Sequence, residues 1–397
     1  MFLLLLSLIS GAHFDNFSGS SARDFEQAVY TDRSAYLFEE ATSDGSVVRG
    51  QVDMPISSPR AAVILVSGTG SFDRDVYLGS SGTVRDLVFL DLSYGLRDED
   101  VAVVRFDKRG VRFDEAKIAA YADMTVPTGW WLPKNFAHSQ SKPEYATADS
   151  GVEDLVAVYE IVRARLPGIP VFLFAHSEGM LHVARAVEER SIRPDAIIGM
   201  GALMESPVSA FSWQRIDRIP EALTSLDGNG DHTVTNDEIR EGFSRTPAAV
   251  FGAVDAFLAP DGAWSRENLA EMRQAWQAYY DREVADALAH PRGDLLIVGG
   301  KPIATYGWWQ TWFTDEKPVA ARMLGGPPLY LFYGSADSQT PPERQRAAVD
   351  AAGLEAKIEV FDELGHTLGY DVFRGPIEPE PRARIIRLVS RLSSNAH

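Results

Sequence analysis

Cysteine is missing from all 397 residues. Disulfides, thiolate metal sites and a cysteine nucleophile are therefore excluded, although the compartment is not fixed by that absence. Cations are the scarcer charge, with 38 Lys and Arg against 56 Asp and Glu and a formal net charge of −18. A surface of that sign repels phosphate backbones, which excludes nucleic acid as a partner and is compatible with divalent cations. Long apolar runs are also lacking. The N-terminal run Phe2 to Ile9 is too short to cross a bilayer and no later stretch is long enough, so the chain is not expected to be an integral membrane protein. Internal repeats and low-complexity tracts are absent from the sequence.

What the chain does have is bulk. Hydrophobic residues make up 45% of it, enough for a sizeable core. Its length suits one large domain with an insertion, or two domains. The run Phe2 to Ile9, followed by Ser10, Gly11 and Ala12, has the outline of a secretory signal peptide over residues 1–12, although no Lys or Arg precedes it. That outline implies export, to the periplasm or beyond. Residues 13–34 read as a polar linker, and residues 35–54 as an opening hairpin.

From there, apolar runs alternate with helical patterns. Residues 61–66, 101–106, 170–174 and 195–201 read as buried strands, and residues 152–166 and those up to 189 as helices. Strands that alternate with helices imply a mostly parallel sheet with right-handed crossovers. The alternation stops near residue 205. Residues 205–320 are helix-rich and aromatic, with no clear buried strand. It resumes with strands at 328–333 and 357–361 and helices at 342–352 and 382–392. The expectation is an α/β core (35–204 and 321–397) interrupted by a helical cap (205–320).

Ser177 stands in Ala175-His-Ser-Glu-Gly179, between a predicted strand and a predicted helix. A serine on a tight strand-to-helix turn needs small flanking residues, and it leaves its hydroxyl exposed at the sheet's end. The Glu178 N–H then lies beside a developing oxyanion, at the positive end of a helix. A serine there also suits a plain helix N-cap. A nucleophilic hydroxyl needs a base, and the base needs an orienting carboxylate, in the chain order Ser, acid, His. Asp337, just past the strand at 328–333, and His366, in Leu364-Gly-His-Thr-Leu368, occupy those places. Both lie where strand C-termini converge, the usual ligand edge of such sheets. A second oxyanion donor is expected from Ser67-Gly-Thr-Gly70, with Thr69 N–H preferred.

These segments resemble a bacterial α/β-hydrolase esterase family with dienelactone-hydrolase-like and serine-aminopeptidase-like relatives. Ser67-Gly-Thr-Gly-Ser-Phe-Asp-Arg-Asp75 is similar to its HGSGxxDRD loop, Phe106-Asp-Lys-Arg-Gly-Val111 to its YDKRGVG turn, and Ala175 to Gly179 to its HSEGG elbow. The likeness covers most of residues 60–200 and 300–395. It implies the α/β-hydrolase fold, hydrolysis of carboxylic esters and no organic cofactor. Ser67, Arg112 and Met180 depart from the pattern, as does the long cap.

Within the cap, residues 227–238 read as a twelve-residue EF-hand loop. Asp227, Asn229 and Asp231 take positions 1, 3 and 5. Thr233 offers its carbonyl at 7, Thr235 sits at 9, and Glu238 is the bidentate carboxylate at 12. His232 replaces the glycine at position 6, where a left-handed turn costs roughly 1 kcal/mol for a residue with a Cβ. No second loop of this kind is visible, so a single structural Ca²⁺ is expected; an acidic turn that binds nothing is the alternative. Trp308, Trp309 and Trp312 are candidates to line an apolar substrate pocket, or to join cap to core; Trp130 and Trp131 are further aromatics of this kind. Asp107, Lys108 and Arg109 read as a structural turn with ion pairs.

Taken together, the residues point to a serine hydrolase acting on a small-molecule ester through an acyl-enzyme. A serine peptidase or amidase uses the same machinery. A catalytically inactive, calcium-dependent binding protein is the alternative from a different class. Oligomeric state is not encoded in any of these features.

Overall fold

The computed structural model describes residues 35–78, 84–112, 140–141, 147, 149–246, 254–298, 300–370, 373 and 375–395. The signal-peptide and linker expectations, and Trp130 and Trp131, fall outside them.

The strands are β1 (Ala35–Ala41), β2 (Val47–Asp53), β3 (Ala61–Val66), β4 (Val101–Phe106), β5 (Val111–Arg112), β6 (Gln140–Ser141), β7 (Val171–His176), β8 (Ala196–Met200), β9 (Thr233–Thr235), β10 (Ala263–Ser265), β11 (Leu295–Val298), β12 (Lys301–Thr305), β13 (Leu329–Gly334) and β14 (Lys357–Phe361). Eight of them form one sheet in the order β1-β2-β4-β3-β7-β8-β13-β14. The opening hairpin pairs antiparallel with itself and with β4, and every other pairing is parallel. The expected α/β-hydrolase architecture, a mostly parallel sheet flanked by helices with a cap inserted after β8, is the one observed.

Both faces of the central strands are covered, which is why they read as unbroken apolar runs. In β3, Ala62, Ile64 and Val66 point into one core, and Ala61, Val63 and Leu65 into the other. The first core is closed by helices α1 (Ser150–Arg165) and α2 (Gly179–Glu188). The second is closed by the helices Val88–Arg97 and Pro379–Asn395. The closing helix extends several residues beyond the 382–392 expected, because its first turn begins at Pro379, a residue favoured at helix starts.

The insertion departs from expectation in one respect. It is not purely helical. Short strands β9 and β10 pair antiparallel, and β11 and β12 form a second two-stranded sheet. Three-residue strands carry too little alternation to be read from sequence. The unit around β9 has its own small core of Ile219, Leu223, Val234, Ile239, Phe243, Phe257 and Leu269. β9 and β10 also end alike. Thr235 with Glu238, and Ser265 with Asn268, each make a reciprocal capping box that opens a helix.

Candidate active site

β7 is a central strand of the sheet, and α2 starts three residues after its end. The turn between them forces Ser177 to φ +56°, a conformation disfavoured for a residue with a Cβ. The strain is tolerated because the turn is clamped: Ser177 N–H donates to the Met200 carbonyl at 3.1 Å, and the Ser177 carbonyl accepts from Leu203 N–H at 3.3 Å. Gly179 is required for closeness. A Cβ there would lie 2.6 Å from the Val66 carbonyl oxygen, so any side chain would push α2 off the β3 loop. Ser177 is the one partly exposed residue between Val171 and Leu181. An N-cap serine would bond the helix's own amides. Here the cap position falls on Glu178 and no side-chain cap bond forms.

Asp337 follows β13 and His366 follows β14, neighbouring parallel strands. The His366 Nδ1 lies 2.9 Å from each Asp337 oxygen. Asp337 Oδ1 also accepts the N–H groups of Gln339 (2.8 Å) and Thr340 (2.9 Å). The Thr340 hydroxyl sits 2.8 Å from Asp337 Oδ2 and 2.9 Å from the Gly201 carbonyl oxygen. Burial alone would raise the carboxyl's pKa. The imidazole and the two N–H groups outweigh it and hold Asp337 below the usual carboxylate range. An ionised Asp337 needs a donor, so Nδ1 carries the proton and Nε2 keeps its lone pair.

Both halves meet at the end of β8. Ser177 is tied to Met200, and His366 lies on Gly201, whose φ is +51°. A Cβ on Gly201 would fall 2.8 Å from His366 Nδ1, so glycine is what lets the ring sit there. The Asp–His bond is made. Among the described residues the Ser177 hydroxyl holds no hydrogen bond.

Thr69 is partly exposed on the loop after β3, and Glu178 is buried. Among the described residues no backbone carbonyl accepts from either amide, so both N–H groups remain for another acceptor. Glu178 also offers its side chain, which sequence reasoning did not use. Its Oε1 accepts from Trp308 Nε1 at 2.8 Å, and its Oε2 from Lys108 Nζ at 3.3 Å. Of the three tryptophans in the 306–314 helix, Trp308 is the half-buried one. Trp309 and Trp312 are buried: Trp309 packs with Phe211 and Phe313 in the insertion, and Trp312 joins the main core.

The Asp107-Lys-Arg-Gly turn divides as follows. Asp107 takes a paired bond from Arg74, and Arg109 holds Asp154 and Asp44. Lys108 instead reaches the site, donating 2.7 Å to the Gly68 carbonyl. Sequence reasoning also passed over His176. Its ring packs at a tilt 4.9 Å from that of His366, and neither of its nitrogens has a partner among the described residues. Burial, and then the neighbouring His366, keep its pKa well below that of a free histidine, so it stays neutral. A histidine inside an elbow pentapeptide carries no sequence signal for that role.

In the 227–238 loop, Asp227 accepts N–H bonds from Gly230 (2.8 Å), Asp231 (3.2 Å) and His232 (2.9 Å). Asp231 accepts from Thr233 at 2.8 Å, and Glu238 from Gly228 (3.1 Å) and Thr235 (2.8 Å). His232 adopts φ +65°, the left-handed turn that position 6 demands. Among the described residues no group of three or more His, Cys, Asp or Glu side chains is clustered tightly enough to hold a metal as it stands.

No family model matches the chain. A curated relative, Esterase EstD of Thermotoga maritima, is 24% identical over 183 residues, which is 46% of this chain. The match spans about a third (36%) of that protein's own length. Among solved structures, a lipase in its open form is similar over 91% of this chain and 99% of its own, at 16% identity and a TM-score of 0.50. A highly thermostable carboxyl esterase from Bacillus coagulans, in complex with glycerol, covers the same shares at 15% identity and a TM-score of 0.49. Sheet order, the elbow after β7 and the likeness to the lipase agree that this chain has the α/β-hydrolase fold.

Proposed function

We propose that the protein is a serine hydrolase that cleaves carboxylic esters through an acyl-enzyme. The observation that carries this is the buried Asp337–His366 pair, set beside a serine held at positive φ on the strand-to-helix turn. In the proposed reaction the Ser177 hydroxyl attacks the ester carbonyl and its proton passes to His366 Nε2. Asp337 faces the resulting imidazolium. The oxyanion rests on the Thr69 and Glu178 amides. Collapse expels the alcohol, which takes the proton from His366. Water then attacks the acyl-Ser177 ester, His366 accepts its proton and returns it to Ser177, and the acid leaves. The names Esterase EstD and Lipase belong to those proteins and are consistent with this reading.

A fluorophosphonate probe tests it. One adduct is expected, mapping to the peptide that contains Ser177, with loss of p-nitrophenyl ester turnover in proportion to labelling. An unlabelled protein, or an adduct elsewhere, would overturn the reading and favour a non-catalytic binding role. Paired ester and aminoacyl-anilide substrates then separate esterase from amidase.

We also propose that residues 227–238 bind one Ca²⁺ through oxygens of Asp227, Asn229, Asp231 and Glu238 and the Thr233 carbonyl. The all-oxygen donor set suits this hard cation, and the left-handed turn at His232 supports the fit. The ion would replace N–H groups as partner of these carboxylates and fasten the two helices that flank the loop. Saturation at about 100 times Kd would add about 2.7 kcal/mol to stability. Melting with Ca²⁺ and with chelator should therefore differ by several degrees. Glu238→Gln should remove most of that difference while leaving activity per folded molecule unchanged. Coincident melting curves would refute the site.

A further inference from the structure

We propose that Glu178 is a positioning residue whose buried carboxylate fastens the oxyanion loop and the Trp308 wall of the site to the nucleophile turn. This rests on the reading of Ser177 as nucleophile.

The elbow chemistry uses only the backbone N–H of this residue, which any side chain would supply. A carboxylate is nonetheless buried there, 3% exposed, at a desolvation cost that needs a specific return. Its partners come from three separate parts of the chain. The Trp308 indole N–H donates to Oε1 at 2.8 Å, from the helix where the chain leaves the insertion. Lys108 Nζ donates to Oε2 at 3.3 Å, from the turn after β4. The Thr69 side chain, on the loop after β3, helps draw the carboxyl's pKa down. Lys108 donates a second bond, 2.7 Å, to the Gly68 carbonyl. The loop after β3 is thus tied to Glu178 by way of Lys108. Burial pushes the carboxyl up, but the Lys108 cation first, then His182, the indole and the Thr69 hydroxyl, draw it below its ordinary value, so it is ionised.

The consequence is geometric. Oxyanion donors act only when fixed within a fraction of an ångström of where the charge develops. One amide of the pair belongs to Glu178 itself and the other to Thr69, and the Glu178 carboxylate, by way of Lys108 and the Gly68 carbonyl, ties the loop of the second to the first. The same carboxylate sets the tilt of the Trp308 ring, which stacks 5.8 Å from Trp309. The nucleophile turn, the loop after β3 and the Trp308 side chain are therefore tied together through one carboxylate.

The test is Glu178→Gln, an isosteric change that removes the charge attracting Lys108. All rates are counted per active site by fluorophosphonate titration, which removes any loss of folded protein. The expected result is a 10- to 100-fold fall in kcat with KM for a short acyl ester within twofold. Affinity for a boronic-acid analogue of the tetrahedral intermediate should fall in parallel with kcat/KM. A purely structural role would lower the titrated site count and leave these ratios alone. If the Gln variant fails to fold, Thr69→Val and Lys108→Met each remove one of these partners and should lower analogue affinity severalfold at constant KM. Unchanged analogue affinity in the Gln variant, or in both of these variants, would overturn the proposal. A wild-type protein that takes no probe at Ser177 would instead bring down the underlying reading, so the two failures are told apart.

Discussion

With asparagine in place of Asp337, kcat is expected to fall by about 10⁴-fold while the fold persists. The hydrogen bonds around the carboxylate dictate the result. Gln339 and Thr340 N–H groups both donate to Oδ1. An asparagine must put its carbonyl oxygen there, because its NH₂ group would meet two donors. The NH₂ group then falls at the Oδ2 place, 2.9 Å from His366 Nδ1. Nδ1 then faces an amide donor at the Oδ2 place as well as the carbonyl oxygen at Oδ1, so no carboxylate holds its N–H and the proton shifts toward Nε2. The base is left in the tautomer that cannot accept the Ser177 proton. Because shape and volume are retained, the melting temperature should shift by only a few degrees. The check is a steady-state assay beside a thermal melt. A loss of less than tenfold would mean that Asp337 does not set the tautomer.

The second large effect concerns stability. Arg105, on β4, is fully buried, with its Nε 2.7 Å from Asp53 Oδ2 and an ion pair to Asp75. Asp53 further accepts from Ser93 Oγ at 2.6 Å and Gln51 Nε2 at 2.5 Å. Arg105→Met would remove the guanidinium that two buried carboxylates bond directly, at a cost of about 3–5 kcal/mol. That is a large share of the roughly 5–15 kcal/mol that holds a domain folded. Urea denaturation at neutral pH should show the midpoint falling sharply. The pH dependence gives an independent sign. Burial would raise the Asp53 pKa, but the Arg105 cation and the hydrogen bonds bring it below its ordinary value in the folded protein. Its contribution is therefore complete above the unfolded-state pKa of about 3.9 and is lost as pH falls through the lower folded value. In the variant these carboxylates take up protons readily, so the gap to wild type should narrow on acidification. A gap that is constant from pH 7 to pH 4 would show that this ion cluster is not the source.

Much of this arrangement was legible in the residues, for identifiable reasons. Strands buried on both faces write themselves as solid apolar runs, so β3, β4, β7, β8 and β13 were found within a residue or two. Ser177, Asp337 and His366 stand just past strand ends, where the topology leaves few alternatives. The turn at 227–238 drew notice because Asp, Asn and Glu recur in it at fixed spacing. The strand β10 that pairs with β9 was not legible, because three residues carry too little alternation to read. The Glu178 side chain was missed for a different reason. Its partners Thr69, Lys108 and Trp308 are separated by tens to hundreds of residues, and no local pattern announces that three such groups will converge.

The insertion also touches the other side of the site. Arg218 Nη1 donates to the Ser338 carbonyl at 2.9 Å and to Gln339 Oε1 at 3.1 Å, while Gln214 Nε2 donates to the Gln339 carbonyl at 2.9 Å. These two residues brace the segment that carries Asp337, so the inserted piece is scaffolding as much as cover. A chimera that grafted a foreign lid between residues 205 and 320 to alter selectivity would have to bring its own guanidinium and amide to those carbonyls, or leave the acid segment without its outer support.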